Sequence, residues 1–562
     1  MPILPSSIQG SFYAAKNALL AHQTALTTIG HNLANAATPG YTRQRVEFVP
    51  SNPQNGVEVT TIRRIRDRFL DFSLLTEQQT LGKNQSQASM LQRLEGIFNS
   101  QPGTSLSAVL DQMFQGFQDL SVNPSDQALR VSALDTGQRL ATTFTGLRAR
   151  IDQLKTDLTT EIQSHVTDAN SLLTQIANLH AKIIAARGGP EANDLLDQRD
   201  QLVTKLAEHV GVRATDRTDG TVQLALAGSG VLLVDGTSTA LLTATVNTST
   251  DTVDLTAGVS SIAVTPTSGA LGSTVTARNS ATGAVKQATT DLNTLAATII
   301  AEVNRLHASG TGTTEHTSLT AANAVSASGA ALTAAGLPST PVTGSFKVIV
   351  HDSTGAVLSS TSVAVTAGVT TLTDVQTALN AISNLTATIS GGKLTITAAS
   401  GTTFTFASDT SDALMALGLN TFFTGSDSNS IAVNSVVAND VTKIATAQAD
   451  STGLVHAGDG ASALAIARLR TKLAMSSGAA TFGNFYGTLV SRIGFQTRDA
   501  LASVDQQQAA VQVVQSLQQQ ASGVSTDEEL INLTQSQNAY AAVAKYVSTL
   551  QAVFDTLIGL VH

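Results

Sequence analysis

The chain has 562 residues, which is too long for one compact core, so we expect several domains. Apolar residues make up 42% of the chain, enough to build cores, but aromatic residues only 4%, which favours close packing of small side chains over bulky ligand pockets. The formal net charge is −9, and there is no cysteine, which excludes disulfides, thiolate catalysis and cysteine-ligated zinc.

The charge pattern and hydropathy also argue against nucleic acid and membrane partners. The short basic run Arg63, Arg64, Arg66 and Arg68 is interrupted by Asp67, and we interpret it as a solvated face, not a phosphate-binding patch. No stretch approaches the ~18–20 continuous apolar residues that span a bilayer. The first residues lack the basic-then-apolar pattern of a cleavable signal peptide, so we expect a cytoplasmic protein or export by another route.

A heptad pattern predicts that the chain begins with a helix ending at Thr38-Pro39-Gly40, where proline removes a backbone donor. Its stripe consists of Phe12, Ala15, Leu19, His22, Leu26, Ile29, Leu33 and Ala36. Burial of the large apolar members contributes on the order of 8–15 kcal/mol, whereas ordering the backbone costs on the order of 25–50 kcal/mol. This helix therefore needs a partner.

The C-terminal segment has the same spacing and supplies that partner. Its stripe consists of Leu530, Leu533, Gln537, Tyr540, Ala544, Val547, Gln551, Phe554 and Leu557 or Ile558. Ser525 followed by Glu528 is typical of a helix N-cap, and acidic residues 527–529 suit the positive end of the helix dipole. We predict that the two terminal helices pair; two unrelated surface helices are the alternative.

Between the ends, helical and strand patterns alternate in blocks. A near-heptad stripe over residues 147–183 predicts a long bundle helix that Gly188-Gly189-Pro190 ends, and the Gly391-Gly392 pair predicts a β-hairpin. We predict a multidomain α+β fold of paired terminal helices, a helical trunk and inserted β-rich domains. The predicted ranges are 1–42 with 522–562 (terminal helices), 43–90 (linker and short extended segments), 91–211, 285–312 and 438–521 (helical trunk), 212–284 (β-rich segment) and 313–437 (β-rich outer domain).

The sequence carries no recognisable catalytic, cofactor or metal motif. The run Ala227-Gly228-Ser229-Gly230 is interpreted as a tight turn. Asp427-Ser428-Asn429 lacks the further carboxylates that calcium requires. Asp197 and Asp200 are expected to form ion pairs with Arg199 and Lys205 on one helix, not an acid pair for catalysis. We therefore expect no enzyme activity, no cofactor and no metal.

Several strings carry a family resemblance. Residues 18–48, with Asn32-Leu33-Ala34-Asn35 and Thr38-Pro39-Gly40-Tyr41-Thr42-Arg43-Gln44, resemble the terminal motif shared by flagellar rod, hook and hook-associated proteins. Residues 114–134, 193–212, 413–434 and 523–560 resemble the hook-associated members that join hook to filament. The stretches around 235–285 and 313–410 carry little of this resemblance.

The resemblance implies a structural flagellar protein that self-associates in a ring between hook protein and, distally, a second junction protein and flagellin. It implies export through the flagellar export apparatus without a cleaved signal, an export chaperone on the C-terminal helix, and terminal helices that line the inner tube. Another axial protein, such as hook protein or flagellin, and a β-rich surface adhesin are the alternatives. The implied assembly residues are Leu19, Leu26, Ile29, Asn32, Leu33, Asn35, Pro39, Gly40, Tyr41, Leu533, Tyr540, Val547 and Phe554.

Overall fold

A computed structural model describes residues 4–51, 56–99, 103, 105–187, 191–456 and 458–560. The fold is multidomain α+β, with paired terminal helices, a long central helix and several small sheets, which confirms the predicted fold class. Two compact units can be distinguished. Unit 1 comprises Met1–Met90, Asp157–Ser280 and Arg498–His562, and unit 2 comprises Leu91–Thr156 and Ala281–Thr497.

The elements are numbered in chain order. The helices are α1 (Leu4–Ala34), α2 (Arg68–Phe98), α3 (Leu106–Val122), α4 (Gln127–Ala185), α5 (Ala192–His209), α6 (Gly269–Asn279), α7 (Ala284–Ala308), α8 (Leu372–Asn380), α9 (Ala413–Leu417), α10 (Ser435–Asn439), α11 (Ala461–Arg468), α12 (Phe482–Ser522) and α13 (Thr526–Gly559). Among the described helices, none combines the length and the apolar composition that a bilayer span requires.

The strands are short and pair antiparallel. They are β1 (Gln44–Pro50), β2 (Val57–Arg64), β3 (Val212–Asp216), β4 (Val222–Leu226), β5 (Leu232–Asp235), β6 (Ser238–Thr239), β7 (Leu242–Asn247), β8 (Thr252–Ala257), β9 (Ile262–Ala263), β10 (Ser318–Thr320), β11 (Gly344–Asp352), β12 (Val357–Val365), β13 (Leu385–Ser390), β14 (Lys393–Ala398), β15 (Thr402–Ala407), β16 (Phe423–Thr424) and β17 (Ala432–Val433). Their sheets are β1-β2, β3-β4-β5-β6, β7-β8-β9, β10-β14-β13, β12-β11-β15 and β16-β17.

The two chain ends meet in unit 1, where α1 lies against α13. The rings of Phe12 and Phe554 meet edge to face, with their centroids 6.3 Å apart. Small side chains at Ala15, Ala21 and Ala25 are buried on α1, which lets neighbouring backbones approach closely. The predicted pairing of the terminal helices is confirmed.

The core of unit 1 joins the C-terminal half of α4 to α5, α6 and the sheets β3–β6 and β7–β9. Its buried residues include Ile162, Val166, Leu173, Ile176, Leu206, Leu224, Leu255 and Leu271. The predicted stripe of the long helix is therefore a core-facing stripe. Helix α4 ends at Ala185; the predicted stop at Gly188-Gly189-Pro190 lies outside the described residues.

In unit 2 the inserted β-sheets and α8 enclose a separate core drawn from residues 308–419. The predicted hairpin is confirmed as β13 and β14, joined by Gly391 and Gly392 with φ of +57° and +77°. Two successive positive φ values are the mark of the type I′ turn, which glycine adopts without steric cost.

Residues after this core return to the helices of unit 2. The Asn420 side chain donates to the carbonyls of His307, Ala308 and Gly310, and the Phe422 ring lies edge-on to Phe117, with centroids 5.2 Å apart. The predicted outer-domain range 313–437 therefore extends past the β-core at its C-terminal end.

Three other predicted ranges differ from the observed elements. Residues 68–90, predicted as linker, belong to α2. This helix was not predicted because glutamines such as Gln78 and Gln79 occupy buried positions and mask the apolar period. Residues 438–480 were predicted as helical trunk. In their described part the helical segments are the end of α10, a 3-10 turn and the eight-residue α11, because Asp450 and the glycines around it favour turns. The predicted β-rich segment 212–284 also contains α6.

Two buried histidines make the stability of unit 2 depend on pH. Burial lowers the pKa of His307 and of His316 to about 4, below the ordinary value of 6.5. The unfolded chain therefore binds more protons than the folded chain between these values. Stability should be fully present above pH ~6.5 and should fall as the pH drops towards ~4.

We expect the urea midpoint of wild-type unfolding, followed by circular dichroism, to fall between pH 6.5 and 4.5. His316→Gln should flatten that fall, because glutamine can still hydrogen-bond to Asn420 but does not titrate. His351 has the opposite effect on the pH dependence of stability. Burial alone would lower its pKa, but the hydrogen bond and charge of Glu315 raise it overall. Equal slopes for wild type and variant would contradict the assignment to His316.

Candidate assembly interface

A fully satisfied buried amide stands where the two chain ends meet. Asn32 is 1% exposed. Its Nδ2 donates to the Gln44 carbonyl at 2.8 Å and to Glu529 Oε2 at 3.1 Å. Its Oδ1 accepts from the Gln44 backbone N–H at 3.0 Å and from the Tyr41 hydroxyl at 2.8 Å. All four hydrogen-bonding positions of the amide are used, so this one side chain ties α1, β1 and α13 together.

The first turn of α13 is held by a buried carboxylate. The Glu529 side chain is 2% exposed, and both Nε and Nη2 of Arg43 lie 2.8 Å from its Oε1. Arg43 Nη1 also donates to Glu528 at 2.7 Å, and its backbone N–H donates to the Ser522 carbonyl at 2.9 Å. Ser525 accepts from the Glu528 N–H as the predicted N-cap. The acidic first turn therefore serves as an ion-pair partner, not only as a complement to the helix dipole.

Asn32, Arg43 and Glu529 form a polar junction between the chain ends. Tyr41 and His31 extend this polar junction towards α5. The Tyr41 hydroxyl lies 3.0 Å from His31 Nδ1, and His31 Nε2 lies 3.4 Å from Asp194. Burial, and then the charges of Asp194, Asp197 and Glu529, raise the pKa of Tyr41 above its usual value. The phenol therefore stays protonated and acts as a donor to Asn32.

A second group of ion pairs joins β2 to α5. Arg64 Nη1 lies 2.6 Å from Asp197 and 2.9 Å from Asp200, and Asp197 also accepts from the Thr42 N–H at 2.9 Å. Burial raises the pKa of Asp197 overall. Burial acts in the same direction on Asp200, but the positive charges of Arg199, Arg64 and Arg66 outweigh it and lower the pKa of that carboxyl.

The interpretation of the basic run as a solvated face is wrong for two of its members. The side chains of Arg64 and Arg66 are 7% and 22% exposed and bind carboxylates of unit 1. Arg63 and Arg68 are 73% and 79% exposed, as expected of a solvated face. The predicted pairing of Asp200 with Arg199 is confirmed, but Asp197 pairs with Arg64. Sequence periodicity could not reveal a partner more than 130 residues away.

The turn between α1 and β1 is built on Asn35 and Gly40. Asn35 Nδ2 donates to the His31 carbonyl at 3.0 Å, and its Oδ1 accepts from Thr38. Gly40 has a φ of +75°, which disfavours any side chain. A Cβ at this position would also lie 2.2 Å from the Gln201 amide nitrogen, which donates to the Pro39 carbonyl.

The other predicted assembly residues are less completely covered. Ile29 is buried, Tyr540 and Phe554 are exposed, and Pro39 and Gly40 are exposed in the turn. The half-buried members are Leu19, Leu26, Leu33, Leu533 and Val547. The predicted site residues did not include Arg43, Gln44, Asp194, Arg64 or Glu529. The sequence did carry a signal for Arg43 and Gln44, because both belong to the terminal motif.

Known proteins resemble this chain over its ends and its middle. The family model "Flagella basal body rod protein" matches residues 12–42, and "Flagellar basal body rod FlgEFG protein C-terminal" matches residues 508–560. These two ranges contain Asn32 and Glu529, the two sides of the polar junction. The model "Flagellar hook-associated protein FlgK helical domain" matches residues 91–319.

Whole-chain relatives agree with these models. Flagellar hook-associated protein 1 of Salmonella typhimurium is 28% identical over 573 residues, covering 97% of this chain and 99% of the relative. The chain belongs to the flagellar hook-associated protein 1 family. The Escherichia coli relative is likewise 28% identical, over 97% of this chain and 98% of the relative. As a member of this family, the chain is a structural component of the flagellum.

Two further comparisons are narrower. The Bacillus subtilis relative of the same name is 33% identical over 229 residues, which span 45% of its length and 38% of this chain. The flagellar hook junction protein of Burkholderia pseudomallei shares the fold, with a TM-score of 0.53 and 16% identity over 82% of this chain and all of that one. The family is structural, in keeping with the absence of catalytic motifs from the sequence.

Loss of Arg43 should loosen α13. Arg43→Ala leaves the carboxylate of Glu529 buried with Asn32 as its remaining partner, and breaking such a pair costs about 3–5 kcal/mol. We expect amides in the first turns of α13 to exchange hydrogen markedly faster, as measured by mass spectrometry. The control is Arg63→Ala, whose exposed pair with Glu47 contributes about 0–1 kcal/mol. Unchanged exchange in Arg43→Ala would show that the ion pair does not hold the helix.

Proposed function

We propose that the chain forms a ring of identical subunits that joins hook to filament and permits flagellin to assemble beyond it. Hook protein would lie on one side, and a second junction protein and flagellin on the other. The names of the relatives, hook-associated and hook junction protein, support this placement. In this arrangement the terminal helices line the inner tube and the β-rich domains face outward, as the family resemblance implies.

The observation that carries the proposal is the incomplete burial of α13. This helix has 34 residues, yet Glu529 alone of its residues is classed as buried in the chain. Its exposed large apolar side chains are Leu530, Ile531, Tyr540, Tyr546, Val553, Phe554, Leu557 and Ile558. A single helix that exposes so many apolar side chains is typical of an association surface.

Helix α1 covers only one side of α13. The half-buried side chains of α13 recur at Leu533, Val543, Val547 and Leu550, which is the spacing of one helix face. Tyr546, Val553 and Leu557 lie on a neighbouring face that α1 leaves exposed. Full burial contributes about 1.5–3 kcal/mol for each such side chain. Further helices from neighbouring subunits would supply that cover, which makes self-association the expected state of this surface.

The same exposed surface suits handling before assembly. We infer that the protein reaches the extracellular flagellum through the flagellar export apparatus without a cleaved signal, with an export chaperone shielding α13 in the cell. An apolar helix face that is unsatisfied in the single chain is the kind of segment that a chaperone binds by helix packing. We expect no catalytic activity and no cofactor requirement in this function.

Val553→Asp tests the proposed ring. The side chain is 45% exposed in the single chain, so the melting temperature of the purified subunit should stay unchanged. In the ring the substitution would bury an unpaired charge in every subunit, which costs several kcal/mol each time. We expect cells with hooks but almost no filaments by electron microscopy, and flagellin released into the medium by blotting.

The matched control is Ser548→Asp, which adds the same charge on a different, polar and exposed face of α13. It should assemble normally. Blotting the medium for the Val553→Asp subunit itself separates failed assembly from failed export: the subunit should be found outside the cell. Normal filaments on Val553→Asp cells would overturn the assignment of this face to the ring.

A further inference from the structure

A cluster of metal-ligating side chains lies in unit 1, apart from the polar junction. His165 and Asp168 are one helical turn apart on α4, and His209 is the last residue of α5. One ligand atom from each of the three side chains lies within 4.8 Å of the others. No metal site was predicted here from the sequence, because His209 is 44 residues from His165 and no short motif joins them.

We propose that His165, Asp168 and His209 bind a divalent transition-metal ion, with Zn²⁺ as the ion best matched to the ligands. Two imidazoles and one carboxylate form a familiar ligand set for zinc, and a water molecule would complete four-fold coordination. Asp168 is exposed and both histidines are half-buried. The exposed carboxylate can therefore bind a hydrated ion from solvent and bring it close to the two ring nitrogens.

The spacing of the two imidazoles agrees with a shared ion. His165 Nδ1 and His209 Nδ1 lie 3.2 Å apart. Zinc–nitrogen bonds of about 2.0–2.1 Å in tetrahedral geometry place two ligand nitrogens about 3.3–3.4 Å apart. Both rings therefore already present their Nδ1 atoms at close to the separation that one zinc ion requires. Small adjustments of the rings would suffice for binding.

The other nitrogen of His165 points to a carboxylate that could orient the ring. His165 Nε2 is buried and has no hydrogen-bond partner within the described structure, and Glu161 Oε1 lies 3.8 Å away. When a metal occupies Nδ1, the proton of a neutral imidazole resides on Nε2. Metal-bound histidines commonly donate this second N–H to a carboxylate, and Glu161, one turn earlier on α4, is placed for that role.

The exposed carboxylate of Asp168 brings to the cluster a negative charge that attracts a cation.

A metal at this position would fasten the end of α5 to α4. The chain leaves α5 at His209 and enters β3 at Val212, whose carbonyl accepts from the Gln79 side chain at 2.7 Å. A bound ion would thus hold the passage from helix to sheet in the core of unit 1. Because it binds the folded state, it would raise the stability of that state as its concentration rises.

The test uses the untagged full chain, with Co²⁺ as a spectroscopic probe and Zn²⁺ as its competitor. Wild type should bind one ion, give the visible absorption of four-coordinate Co²⁺, lose it to Zn²⁺, and melt at a higher temperature with Zn²⁺. His209→Gln and Asp168→Asn should weaken Co²⁺ binding most. Glu161→Gln should weaken it by about 10–100-fold. His456→Gln, an exposed histidine beside Asp450 and outside the cluster, is the control and should bind as wild type does.

Circular dichroism of each variant without metal verifies that the fold is retained. Asp168→Asn keeps the test decisive if His209→Gln does not fold, because Asp168 is exposed. Failure of wild type to bind either ion, or equal binding by wild type and Asp168→Asn, would leave a hydrogen-bonded histidine pair only and would overturn the proposal. Filament assembly plays no part in these measurements, so they stand apart from the proposed ring.

Discussion

The buried carboxylate of Glu529 is the interaction on which the arrangement of the chain ends depends. An unpaired carboxylate in this position would be too costly to bury, so the start of α13 can dock only where Arg43 and Asn32 supply donors. Asn32 comes from the last turns of α1, and Arg43 from the segment that joins α1 to β1. The two ends of the chain therefore recognise each other through specific polar contacts, and everything between residues 43 and 522 is carried as a loop from that junction.

This arrangement separates two tasks that apolar packing alone would combine. Hydrogen bonds at Asn32 and Glu529 fix where α13 starts and in which direction it runs. The remaining turns need not be buried to keep the helix in place, so their apolar side chains stay available to other subunits. A junction that relied on a fully covered apolar stripe would leave less surface for assembly.

The sequence predicted those features that depend on local periodicity. The long stripe of α4, the pairing of α1 with α13 and the Gly391-Gly392 hairpin follow from spacings that one segment carries by itself. The features that it did not predict depend on distant partners. Arg64 is buried because Asp197 meets it from α5, and α2 was missed because glutamines take the places of apolar residues. His165 and His209 come together only through the packing of α4 on α5.

The separation of Arg43 from Glu529 also has a consequence for biosynthesis. The two residues are 486 positions apart. At a translation rate of roughly 5–20 residues per second, the ribosome needs about 25–100 s to reach the second after making the first. During that time Arg43 lacks the carboxylates of α13 that it pairs with in the folded chain. The ion pair between the two chain ends forms only when α13 has been synthesised. A nascent or truncated chain therefore exposes an unpaired Arg43, whereas the finished molecule does not.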